Sequence, residues 1–136
     1  MLYPMFAMVV LTFVVGLLAL KARFAAVKAK DLKPAYFRLM ETKDSEKLPE
    51  WVAVTTRSFN NMFEAPILFY AGCLAVLALN LETMLTITTA WAFVLSRCWH
   101  AWIHLTYNNV IHRMKVFLLG MILILTLWIE LIVLSM

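Results

Sequence analysis

The stretch RSFNNMFEAP, residues 57–66, decides the fold, because it carries charged and amide side chains into a long apolar run. The run continues as ILFYAGCLAVLALNL, which has the composition of a membrane interior. Arg57, Asn61 and Glu64 therefore enter a segment that could span a bilayer. A charge at the centre of a membrane helix costs about 2.5–3.5 kcal/mol on insertion scales, so these side chains need partners inside a bundle.

The composition of the whole chain indicates an integral membrane protein. Of its 136 residues, 64% are hydrophobic and 15% are charged, and the mean hydropathy is +0.85. Soluble domains are about half apolar and about a quarter charged. The net charge of +4 does not predict a nucleic-acid partner, because eight of the twelve Lys and Arg residues cluster between positions 21 and 47. Such clustering is typical of a cytoplasmic membrane loop.

Four apolar windows reach the length of about 20 residues that a helix needs to cross the hydrocarbon core. Their approximate bounds are 2–20, 53–79, 84–106 and 114–135. Each window is predicted to be helical, because a membrane span must satisfy its own backbone groups. The predicted fold class is therefore all-α, an integral membrane four-helix transmembrane bundle in one domain over residues 1–136. A basic loop over residues 21–50, which contains Pro34, connects the first two windows.

The charges of the connections predict the orientation. The first and third connections are basic, and the third carries Arg113 and Lys115, whereas the second has no positive charge. Because basic loops face the cytoplasm, both termini are predicted to face outward. The N-terminal run lacks a basic leader region and a cleavage site, so it is a first span rather than a signal peptide. Short loops predict a multi-pass protein of the bacterial inner membrane, or of the endoplasmic reticulum in a eukaryote.

Two polar stripes run along the predicted helices. Arg57, Asn61 and Glu64 fall within about 60° of one another on a helical wheel. The same face continues with apolar and mostly small residues, which allow close helix approach: Leu68, Ala71, Gly72 and Ala75. The second stripe, in the third window, covers about 80° and consists of Arg97, His100, His104 and Asn108.

Both stripes lie in the cytoplasmic half of the predicted bundle. Glu64 and Arg97 each lie about three turns from the cytoplasmic end of their helices, and Arg113 begins the fourth helix on that side. Arg57, Arg97 and Arg113 thus meet one carboxylate, Glu64, which leaves two positive charges in surplus. A structural ion-pair network or snorkelling arginines could explain some of these residues. Taken together, the surplus favours an anion-binding cavity.

The pair His100 and His104, one turn apart, could also ligate a metal or a haem. Glu64 is the only other ligand type near this depth, and it lies on another helix. Zinc sites need three or four such ligands, so no metal site is predicted.

Four further residues carry simple predictions. Cys73 and Cys98 stand singly in apolar runs and are predicted to be buried free thiols. Glu130 lies near the outer end of the last window and is predicted to be interfacial. Pro66 cannot donate a hydrogen bond to the carbonyl of Met62, so it is predicted to bend the second helix beside Glu64.

The pattern R57-xxx-N61-xx-E64 resembles the RxxxNxxE signature of the MAPEG family, membrane-associated proteins in eicosanoid and glutathione metabolism. The resemblance extends over essentially the whole chain, with four spans, a long basic first loop and an arginine in each of the last two spans. It implies a homotrimer of four-helix bundles. It also implies that glutathione, as co-substrate, binds between neighbouring subunits near the cytosolic face, where it meets a lipophilic small molecule from the membrane.

The resemblance also implies roles for individual residues. Arg113 matches the arginine that stabilises the glutathione thiolate, and a nearby cation does favour a thiolate. The chemistry of glutathione agrees, because arginines bind carboxylates and Glu64 can accept hydrogen bonds from the ammonium. The residues implied to bind glutathione are Arg57, Asn61, Glu64, Arg97, His100 and His104, with Lys21 or Arg23 as a basic contact from the first span.

Two functions of this fold follow from the resemblance. The first is a glutathione-dependent transferase or peroxidase that acts on lipophilic electrophiles. The alternative is a non-catalytic lipid- or glutathione-binding membrane protein. Met114 and Phe117 stand where prostaglandin E synthase has a serine and a tyrosine near the thiol, and Asn60 replaces an arginine common in relatives. These departures keep the alternative open.

Overall fold

The computed structural model describes residues 1–33, 36 and 48–136. The helices of this part are, in chain order, α1 (Leu2–Lys28), α2 (Glu50–Asn60), α3 (Ala65–Ala78), α4 (Met84–Leu105) and α5 (Val110–Ser135). The described part contains no strand, so the predicted all-α class is confirmed. Thirteen of the thirty residues of the predicted basic loop, including Pro34, lie outside the described residues.

Three helical stretches of the described part are long and apolar enough to cross a membrane: Leu2–Lys28, Glu50–Ala78 and Val110–Ser135. Helix α4 has 22 residues, about 33 Å at 1.5 Å per residue, but it is more polar. All its polar and charged residues except Thr88 lie on its buried side: Thr86, Thr89, Ser96, Arg97, His100 and His104. Leu95 and Trp102 are exposed instead. A polar helix can lie in a membrane bundle when its polar side faces the interior in this way.

Helix α1 continues to Lys28, well past residue 20, where the first apolar window ends. The extension KARFAAVK consists mainly of Ala, Lys and Arg, which are strong helix formers. Ala22 and Ala26 are buried, so the extension belongs to the packed bundle rather than to the loop. Further back, a Cβ at Gly16 would come within 2.9 Å of the ring of Phe59, which shows how closely α1 and α2 approach each other.

The second predicted span is broken rather than bent. Helix α2 ends at Asn60, α3 begins at Ala65, and residues 61–64 form turns between them. Pro66 lies in the first turn of α3, where a helix needs no N–H donor. The N–H of Phe63 still donates to the carbonyl of Asn60 at 2.9 Å, so the signature residues follow a tight turn.

Small residues allow α5 to pack closely against α3 and α4. A Cβ at Gly72 of α3 would lie 3.3 Å from both Leu127 and Trp128 of α5. A Cβ at Gly120 of α5 would lie 3.3 Å from the hydroxyl of Ser96 in α4. Gly72 therefore lies at a close helix contact, as its place on the small face of the second span predicts.

The two cysteines lie in different environments. Cys73 is buried as predicted, whereas Cys98 is exposed, so the prediction of a buried thiol is wrong for Cys98. Its neighbour Arg97 faces the interior, and one residue along a helix turns the side chain by about 100°. Cys98 thus lies on the outer side of α4, together with Trp102.

Glu130 is a buried residue and not the interfacial residue that its position predicts. Its side chain is 9% exposed, and its Oε1 accepts a hydrogen bond from the Thr89 hydroxyl at 2.8 Å. Its Oε2 has no partner among the described residues. Glu130 faces α4 because its position on the wheel points inward, although it is near the end of α5. Close to this end of the bundle, the ammonium of Met1 pairs with Glu82.

We expect Thr89→Val to lower the free energy of unfolding by about 1–2 kcal/mol, because it leaves both oxygens of a buried carboxyl group without a donor. Thr88→Val is the matched control, since the Thr88 hydroxyl is exposed and bonds only to its own helix. Denaturation of both variants in the same detergent measures the difference. Equal stability of the two variants would show that the Thr89–Glu130 bond contributes nothing.

Candidate functional site

Arg97 is the central residue of the polar cluster. It is 1% exposed, and its Nη2 donates a hydrogen bond to the backbone carbonyl of Asn61 at 3.0 Å. In a continuous helix that carbonyl would accept from the N–H of Ala65. Because α3 begins only at Ala65, this bond is not formed. The guanidinium of Arg97 donates to the carbonyl of Asn61 instead of the N–H of Ala65. The Nε and Nη1 of Arg97 have no partner among the described residues.

Two buried histidines follow Arg97 along the same side of α4. His100 is 2% exposed and His104 is 1% exposed, and their rings meet edge to face with centroids 5.9 Å apart. The ring of Phe117 in α5 lies 6.1 Å from that of His100. The Nδ1 atoms of both histidines are buried without a hydrogen-bond partner in the described part of the chain.

Arg113 approaches the histidines from α5, and two asparagines fix the loop before it. Asn108 has a positive φ of 47°, and its Oδ1 accepts a hydrogen bond from Arg113 Nη1 at 2.8 Å. Asn109 caps α5 by accepting from two backbone N–H groups of the first turn. The charge of Arg113 acts on both His100 and His104.

Arg57 and Glu64 lie at the surface of the same cluster. The side chains of both are exposed, and the charge of Arg57 acts on His104. The charge of Glu64 acts on Arg97, yet Glu64 forms no ion pair with any residue that the structure describes. The lone acid among these residues is therefore close enough to Arg97 to interact with its charge, without an ion pair to it.

Seven of the nine predicted site residues are thus brought together: Arg57, Asn61, Glu64, Arg97, His100, His104 and Arg113. Lys21 and Arg23 lie towards the end of α1, outside this set of contacts. The Nη2 of Arg23 is 3.5 Å from the hydroxyl of Thr56 in α2, whereas Lys21 is exposed.

Two further polar residues were not among the predicted site residues. Asn108 orients Arg113, and the pair of asparagines directly before a helix was the available signal, because asparagine favours both N-caps and positive φ. Ser58 is fully buried next to Arg57 in the chain, and its hydroxyl has no partner within the described residues. No feature of the sequence distinguishes Ser58 from an ordinary helix residue.

The arrangement bears on metal binding and on apolar ligands. Within the described ranges, no three His, Cys, Asp or Glu side chains converge to hold a metal ion.

A groove of about 480 Å³ lies along α1 and α2, in the size range of small-molecule sites. Its lining is apolar apart from Thr12 and Arg23, and includes Phe59 and Phe63. The groove is suited to an apolar molecule.

The long apolar helices and the buried basic cluster define a helical membrane protein with a charged core. The sequence model of the MAPEG family matches residues 1–133 of the chain. The chain belongs to the MAPEG family, which includes glutathione transferases and related membrane proteins, and whose members commonly use glutathione. It is a multi-pass integral membrane protein. No curated protein and no solved structure matches the chain.

Proposed function

We propose that the protein is a glutathione-dependent membrane transferase or peroxidase, which activates the glutathione thiol for attack on lipophilic electrophiles. The main support is that the charges of Arg57, Arg97 and Arg113 all act on the buried His104, while the charge of a single acid, Glu64, acts on Arg97. Several polar atoms of this cluster have no partner in the described chain. Glutathione carries two carboxylates, one ammonium and one thiol, so its charges complement the surplus of positive charge in the cluster.

Both exposed and buried residues of the cluster are proposed ligand contacts. Arg57, with Lys21 or Arg23 as the basic contact from α1, binds carboxylates. Glu64 accepts hydrogen bonds from the ammonium, because no residue of the described chain uses its carboxylate in an ion pair. The amide of Asn61 and the histidine rings offer further hydrogen bonds.

Arg113 is the proposed catalytic residue. Asn108 binds its guanidinium, whose charge acts on both histidines, and a nearby positive charge favours the thiolate form of a bound thiol. Bound glutathione loses its thiol proton to solvent, and an electron pair of its sulfur forms the new bond to the electrophile. The leaving group departs with the electron pair of the bond that breaks. The apolar groove of α1 and α2 is a candidate place for the electrophile.

The proposed assembly is a homotrimer with four spans per subunit, both termini outward and the basic loop in the cytoplasm. The exposure of Arg57 and Glu64, when the other charged side chain with which each interacts is buried, supports a site at a subunit boundary. The burial of the polar residues of α4 supports its inclusion as a span. The bacterial inner membrane is the proposed location for a chain with such short connections.

A non-catalytic lipid- or glutathione-binding protein is the second candidate. Phe117, whose ring lies 6.1 Å from that of His100, favours it, because a phenylalanine has no hydroxyl to bind a thiol. The large apolar groove is equally compatible with a lipid that is bound but not converted.

Calorimetry with glutathione on the detergent-solubilised protein tests the proposal. We expect saturable binding by the wild type and by Thr88→Val, a control variant at the other end of α4. Absence of binding by the wild type would contradict both a transferase and a glutathione-binding protein. Binding without turnover of any electrophile, together with specific lipid binding, would favour the second candidate.

A further inference from the structure

The break between α2 and α3 leaves a specific backbone group to be satisfied. The last carbonyls of a helix have no partner within it. At the end of α2, the carbonyls of Arg57, Phe59 and Asn60 accept from the N–H groups of the turn that follows. The carbonyl of Asn61 accepts instead from the guanidinium of Arg97 at 3.0 Å. A side chain from α4 therefore completes the backbone of the signature segment.

The position of Arg97 makes it better suited to this bond than to a ligand. The residue is 1% exposed, and its Nε and Nη1 are inaccessible. Its aliphatic stem runs beside Gly120 of α5, where an added Cβ would lie 3.9 Å from Cδ. In contrast, Arg57 and Glu64 are exposed and can be reached directly.

We propose that Arg97 is a positioning residue: it caps the broken end of α2 and thereby holds Asn61 and Glu64 in the conformation that binds glutathione. This inference rests on the proposed function. An arginine suits the place, because the C-terminal end of a helix carries partial negative charge and favours a cation. Without the cap, the carbonyl of Asn61 lacks a partner at a partly buried position, and the turn that presents Glu64 changes conformation.

Kinetics with glutathione analogues that lack one free carboxylate distinguish a positioning role of Arg97 from direct contact with the ligand. We expect Arg97→Gln to raise the KM for glutathione about tenfold, the effect of one weakened hydrogen bond, with a smaller change in kcat. Two analogues complete the test, one with the glycine carboxylate esterified and one without the γ-glutamyl α-carboxylate. If Arg97 is a positioning residue, the substitution will raise the KM by the same factor for glutathione and for both analogues. A loss that disappears with either analogue would show that Arg97 binds that carboxylate, and would overturn the inference.

Hydrogen exchange provides a measurement that does not depend on glutathione. We expect the amides of residues 61–64 to exchange faster in Arg97→Gln than in the wild type. Arg113→Gln, the matched loss of a neighbouring arginine, should leave their exchange unchanged. If the wild type fails to bind glutathione, the proposed function fails, and exchange alone decides the role of Arg97. Unchanged exchange at residues 61–64 in Arg97→Gln would overturn the inference.

The conservative variant covers the case in which Arg97→Gln does not fold. Arg97→Lys keeps a cationic donor but not the planar fork. We expect Arg97→Lys to fold and its amides at residues 61–64 to exchange faster than those of the wild type. Where Arg97→Gln also folds, we expect Arg97→Lys to exchange more slowly than Arg97→Gln and to lose less glutathione affinity. Exchange equal to that of the wild type together with reduced affinity would contradict the cap.

Discussion

Replacement of Arg113 by alanine is expected to remove most conjugation activity while glutathione still binds. The guanidinium is held by Asn108 at 2.8 Å, and its charge reaches both buried histidines. In the proposed mechanism it stabilises the thiolate more than the neutral thiol. Its loss therefore acts on the reaction more than on binding, and we expect kcat to fall about 10²-fold to 10³-fold, as when one preorganised donor is removed from an active site.

Steady-state kinetics, calorimetry and the ultraviolet absorbance of the thiolate test this expectation together. Lys115→Ala is the matched control, since Lys115 is an exposed cation two residues further along α5. Arg113→Lys should keep part of the activity, because it preserves the charge but loses the fork that holds Asn108. Unchanged turnover in Arg113→Ala, or an equal loss in Lys115→Ala, would remove Arg113 from the catalytic role.

The convergence of the polar stripes could be predicted because two strong constraints act on the sequence. Helical periodicity places Arg97, His100 and His104 on one side of α4, and the cost of charge in a bilayer turns that side inward. The structure buries all three residues. The same reasoning does not predict that α2 ends at Asn60, because a proline inside an apolar window is compatible with a bend or a break of the helix.

The partner of Arg97 could not be predicted for the same reason. A search for partners among side chains finds only Glu64, whereas the acceptor is a backbone carbonyl that becomes available when the helix breaks. The burial of Glu130 depends on the direction in which its side chain points from α5, and not on its depth in the membrane. Its hydrogen bond with Thr89 joins α5 to α4. Long-range contacts of this kind are set by helix packing, which one sequence does not reveal.

Substitution of Glu64 by glutamine is expected to weaken glutathione binding about 10-fold to 100-fold, because a charge-assisted hydrogen bond contributes about 1.5–3 kcal/mol. The carboxylate is exposed, and no cation of the described chain pairs with it. Its role in the proposal is therefore to accept hydrogen bonds from the ammonium of glutathione. Calorimetry on wild type and Glu64→Gln measures the loss, and Glu64→Ala should weaken binding at least as much.

N-acetylglutathione, which has no ammonium, decides between the two possible partners of Glu64. If Glu64 binds the ammonium, wild type and Glu64→Gln will bind the acetylated ligand equally, and the difference will be confined to glutathione. If Glu64 instead pairs with an arginine, the substitution will weaken the binding of both ligands equally. It will also lower the unfolding midpoint of the free protein. The second pattern would contradict the proposed contact. The first is expected because the charge of Glu64 acts on Arg97 without forming an ion pair, so the acid remains available to a ligand.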